Sequence, residues 1–93
     1  MGICFLPPAK YDHEPTKPYR IVYGWWPRPY ASIGGDVIHL PNPAIKRLFY
    51  SNQSYECLIR HEKAHINGWS QDHPGMIRVD NYRDGMPHPG RGQ

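Results

Sequence analysis

Ser54-Tyr55-Glu56-Cys57-Leu58-Ile59-Arg60-His61-Glu62-Lys63-Ala64-His65-Ile66-Asn67-Gly68 is the stretch from which the rest of the chain is read. Tyr55, Leu58, Ile59, Glu62 and Ile66 recur at helical spacing, which predicts a helix from about residue 54 to 67. Ser54 or Asn52 supplies an N-cap, and Asn67-Gly68 is a stop, since both residues tolerate left-handed geometry. Inside this helix His61-Glu62-Lys63-Ala64-His65 has the pattern HExxH. Residues four apart differ by about 40° around a helix and about 6 Å along it, so two imidazoles can converge on one ion. Glu62 lies about 100° further round, poorly placed as an equal ligand but able to reach a water on that ion. His61 and His65 are therefore the expected metal ligands, and Glu62 the expected general base.

Upstream, residues 1–18 contain a proline-rich polar run, PPAKYDHEPTKP, and read as an extended arm or loop. Tyr19–Tyr23 is a β-branched and aromatic run, a short strand. Gly24–Pro29 (GWWPRP) is irregular, with its tryptophans expected over the core. After Gly34-Gly35, Asp36–Leu40 reads as a second strand ended by Pro41, with Val37 and His39 on one face and Ile38 and Leu40 on the other. Pro43–Tyr50 suits a short helix with Ile45, Leu48 and Phe49 turned inward. Beyond Trp69 a short strand is expected at Ile77–Val79, and residues 85–93 read as a loose tail. The fold class is α+β: one small domain over residues 1–93, a short antiparallel or mixed sheet packed on the HExxH-bearing helix.

A chain of 93 residues has a limited core, and small domains often add a metal or disulfides. Thirteen per cent aromatic residues exclude a disordered chain. The net charge is +3, with Lys and Arg scattered rather than gathered on one element, so nucleic-acid binding is disfavoured. Cys4 and Cys57 could pair, but pairing is not readable from sequence; Cys57, on the His61 face of the helix, is taken as a small buried hydrophobe. No signal peptide or transmembrane run is recognisable, so no membrane partner is expected, and the compartment stays open with the cytoplasm slightly favoured.

Extended to His73, the run His61-Glu62-x-x-His65-x-x-Gly68-Trp69-Ser70-Gln71-Asp72-His73 resembles the zincin superfamily of zinc peptidases. Its closest likeness is to the metzincin branch, HExxHxxGxx followed by His or Asp. It is also similar to small uncharacterised bacterial and phage proteins carrying HExxH-x-N-G-W…D-H-P. The resemblance implies one Zn2+ ion on His61 and His65, Glu62 as general base and Gly68 as the turn back toward the metal. It also implies that Asp36–Leu40 is the sheet edge that binds substrate by strand addition. The metzincin third-ligand position falls on Gln71, which does not fit. His73 is favoured for that role with Asp72 beside it, and Asp72 as ligand is the alternative. Met76 and Met86 are candidates for the methionine turn under the metal.

An oxyanion-stabilising group is also needed in peptide hydrolysis, and Tyr82, His39 and His88 are candidates, with His39 more readily read as a cleft wall or plain surface. His13 and His88, in loose segments, are expected to be solvated. The leading expectation is a zinc-dependent peptidase acting on a peptide or protein substrate. The alternative is a non-catalytic zinc domain with a structural or protein-interaction role, and a basic module with an accidental HExxH is the third reading. So short a chain is expected to need a protein partner or a homo-oligomer to complete a cleft.

Overall fold

The computed structural model describes residues 2–90. Its organising element is helix α2, Tyr55–Ile66, the HExxH helix. Ser54 caps it by accepting from the Cys57 amide at 3.1 Å. At the other end Gly68 takes φ +108°, its N–H donates to His65 O, and the Trp69 N–H donates to Ala64 O. This pair of bonds is a Schellman closure, and a side chain at residue 68 would resist the left-handed backbone it needs.

Strands β1 (Gly2–Leu6), β2 (Arg20–Gly24), β3 (Tyr30–Ala31), β4 (Val37–Pro41) and β5 (Ile77–Tyr82) form two sheets, and α1 spans Pro43–Phe49. β1 and β5 are an antiparallel pair; β4 lies between β2, parallel to it, and β3, antiparallel. The small α+β fold thus contains one antiparallel and one mixed sheet. α1 starts at Asn42, whose side chain accepts from the Ile45 amide, with Pro43 at the first turn.

α2 packs into both sheets through different faces. Leu58 and Ile66 join Ala31, Ile38 and Leu40 in one buried cluster. Cys57 joins Cys4, Leu6 and Tyr82 in the other. Arg60 ties the second side together. Its guanidinium makes a bidentate bond to Asp12 at 2.7 and 2.6 Å and reaches the Tyr82 hydroxyl and the Met86 carbonyl.

Several expectations are corrected. Residues 1–18 are not wholly an arm: Gly2–Leu6 are β1, with Cys4 and Leu6 fully buried. Alternating hydrophobes Cys4 and Leu6 face the core, a two-residue period too short to stand out beside Pro7-Pro8. The tail from residue 85 is anchored over its described part, since His88 is buried and donates through Nε2 to Pro7 O at 2.7 Å; residues 91–93 lie outside the described residues. Cys57 is not a lone hydrophobe but is disulfide-bonded to Cys4 across 53 residues of sequence. A loop of that length is worth about 4 kcal/mol in the chain-entropy account.

Leu48 and Phe49 are 74% and 70% exposed, not inward, because α1 touches the sheet along only one short face. Trp25, 76% exposed, does not cover the core either. β4 is a central strand rather than an edge, so the cavity-side edge is β3. Among the described residues no helix is long and apolar enough to cross a membrane.

Candidate metal centre

The third face of α2, bearing His61, Glu62 and His65, opens into a cavity of about 560 Å³. His73 reaches the same cavity from the loop after the helix. One potential ligand atom from each of His61, His65 and His73 lies within 4.8 Å of the others, so the three can hold a metal ion. They are the one such group among the described residues.

Each helical imidazole is held from behind. His61 Nδ1 donates to Phe5 O at 2.7 Å, and His65 Nδ1 donates to Trp69 O at 2.8 Å. Both bonds fix the neutral tautomer that leaves Nε2 unprotonated, the arrangement in which metal-binding histidines are held by a backbone carbonyl. His73 reaches the cluster through a left-handed backbone, φ 57°, unusual for a non-glycine residue. Its amide bonds to Ser70 O and its carbonyl accepts from Met76, which fixes the turn.

Trp69 is the floor of the site. It is fully buried, its ring lies 4.9–5.0 Å from all three imidazoles, and its indole N–H donates to Pro74 O. The Schellman turn at Gly68 puts it there. Neither methionine fills this place: Met76 lines the cavity wall, and Met86 packs with the Cys4–Cys57 cluster.

Burial pushes the His61 pKa down to about 4, against the opposing pull of the Phe5 carbonyl; His65 and His73 lower it further. His65 is shifted down for the same leading reason. These rings stay neutral, as metal ligands must. Burial pushes Glu62 up to about 8, partly offset by a hydrogen bond from the Ala31 backbone. A bound divalent cation would favour the ionised carboxylate.

Ala31 also accepts from Gln71 Nε2 at 2.9 Å, so the residue at the metzincin third-ligand position is a brace between loop and edge strand. Asp72 is exposed and outside the ligand group; its amide bonds to Ser70 Oγ. Tyr82 and His39 do not line the cavity. Tyr82 hydrogen-bonds Glu56 and Arg60 on the opposite side of α2. His39 lies between the Trp26 edge and the stacked Tyr30 ring, 4.1 Å away, with a buried Nδ1 that has no hydrogen-bond partner among the described residues. His88 has both nitrogens committed, to Pro7 O and the Gly90 amide, which corrects the expectation of a solvated ring. His13 is exposed, as expected.

Two tyrosines do line the cavity, Tyr30, whose ring stacks on His39, and Tyr50. The Tyr50 hydroxyl donates to Pro27 O at 3.2 Å and feels both Arg28 and Glu62, with burial raising its pKa. Its sequence signal was weak, since nothing in a residue at the end of a predicted helix announces which cavity it lines. Compared with known protein families, curated proteins and solved structures, the chain matches none.

Proposed function

We propose that this chain is a zinc-dependent peptidase of the zincin type. The observation that carries the reading is that three imidazoles converge beside Glu62 at one open cavity. A structural zinc site normally uses four protein ligands, whereas three histidines with a free position suit catalysis. The all-nitrogen donor set fits zinc. When bound, zinc supplies a Lewis acid that polarises a carbonyl and acidifies water.

Glu62 accepts the proton from the attacking water and returns it to the leaving amine. Trp69 and the Phe5 carbonyl keep His65 and His61 oriented. Tyr50 takes the role that sequence reading offered to Tyr82, a hydroxyl facing the developing oxyanion. The substrate is an extended peptide lying past Tyr30, Met76 and Arg28 on the cavity wall. The disulfide supports an oxidising compartment over the cytoplasm.

The test is Glu62→Gln in zinc-loaded protein, read on a peptide library. The expected outcome is unchanged zinc content with hydrolysis lowered by about 10²–10⁴-fold. A zinc-loaded wild-type chain that cleaves nothing would favour the non-catalytic zinc domain.

A further inference from the structure

Both ends of the Cys4–Cys57 bridge lie close along the chain to groups of the candidate metal centre. Cys57 lies one helical turn before His61 on α2. Cys4 immediately precedes Phe5, whose carbonyl oxygen takes the His61 Nδ1 proton at 2.7 Å. The strand that offers this carbonyl buries Cys4 and Leu6 but has few backbone partners. Among the described residues β1 pairs only with β5, and a two-stranded ladder is marginal alone. Besides the bridge and the His61 bond, β1 is joined to the segment leading into α2 by the Ile3 amide on Asn52 O at 2.8 Å.

We propose that the disulfide is a positioning element of the metal centre, fixing the Phe5 carbonyl against His61 so that metal affinity depends on the oxidation state of Cys4 and Cys57. This deepens the function proposed above and rests on the three-histidine site. With Phe5 fixed, His61 keeps its proton on Nδ1 and offers the Nε2 lone pair to the ion. With Phe5 released, the neutral ring divides between its two tautomers, and only one of them can bind in place. Reduction takes two electrons and two protons from a dithiol, which closes its own disulfide while Cys4 and Cys57 become thiols.

The experiment measures zinc affinity by competition with a chromogenic chelator. It compares the oxidised full chain, the chain reduced by a dithiol and desalted without oxygen, and a C4V/C57V variant that fills the space without thiols. Loss of an imidazole's outer partner costs about 10–100-fold in metal affinity, so both bridge-free forms are expected to bind zinc that much more weakly while circular dichroism shows the helix retained. Nitrogen-15 shifts of His61 in the metal-free forms report the tautomer directly. They are expected to move from one tautomer to a mixture, which a merely structural bridge would not cause. Equal zinc affinity with and without the bridge overturns the proposal. So does failure of both bridge-free forms to fold, because the bridge is then a staple for the whole chain. Absence of zinc binding by the oxidised chain is a different result, which overturns the metal-centre reading itself.

Discussion

The indole of Trp69 lies against the imidazole of His65 with ring centres 4.9 Å apart and planes inclined by 15°, and the Trp69 carbonyl holds the same ring at Nδ1. One residue thus supports the ligand by its side chain and orients it by its backbone. Trp69→Ala removes the floor and leaves a large void, so it should cost about 3–5 kcal/mol and lower zinc affinity. Trp69→Phe keeps the carbonyl and much of the contact and should retain more of both. Denaturant unfolding and zinc competition on the two variants check this.

His73 and Asp72 are neighbours in sequence but differ in position, one inside the ligand group and one exposed outside it. His73→Ala should weaken zinc binding by more than the about 10–100-fold that an outer partner is worth. Asp72→Ala should leave it nearly unchanged. Equilibrium dialysis with elemental analysis of both variants decides between them, and loss of zinc in the Asp72 variant alone would reverse the assignment.

The metal-free protein should lose stability as pH rises from 6.5 to 8. Folded Glu62 keeps its proton up to about 8, whereas its ordinary value is 4.5, so the folded state binds more protons and alkali favours unfolding. His61 has the opposite sign: its folded value of about 4 lies below the ordinary 6.5, so acid favours unfolding between those values. Above 6.5 only the first of these two slopes remains. Melting temperatures of the metal-free chain should therefore fall from pH 6.5 to 8, and Glu62→Gln should flatten that limb.

Arg60 and Asp12 are a bidentate pair with side chains 17% and 5% exposed. Arg60→Ala leaves the Asp12 carboxylate buried without its cation and should cost about 3–5 kcal/mol. The double variant with Asp12→Ala should cost less than the sum of the singles, because the two groups form one charge pair. Chemical denaturation of the three variants gives the coupling.

The sequence made α2 legible because its capping serine, apolar spacing and Asn67-Gly68 stop all agreed. The helix observed, Tyr55–Ile66, lies within one residue of the expected 54–67 at each end. His73 was legible as a candidate through its spacing from the motif, but the choice over Asp72 depends on a left-handed backbone that no local signal announced. β1 was missed because its apolar residues sit at the chain start and pair with a strand more than seventy residues away. That same long-range pairing hid the Phe5 carbonyl and the partner of Cys57. Tyr50 was not among the oxyanion candidates because the sequence carries no sign that the end of α1 turns toward the HExxH face of α2. Expecting β4 to be an edge failed for a similar reason: two residues, Tyr30-Ala31, suffice to cover it, and so short a strand leaves no period to read.

A twelve-residue helix here contributes to two buried clusters, the covalent crosslink, the Arg60 anchor and the imidazoles. Such sharing leaves little room for drift along that segment. In a saturation scan, nearly every position from 57 to 66 should be intolerant, whereas α1, with its exposed Leu48 and Phe49, should absorb substitution freely. Selection on this protein would then fall most densely on one narrow window of its gene, with isolated constrained codons elsewhere for Cys4, Gly68, Trp69 and His73.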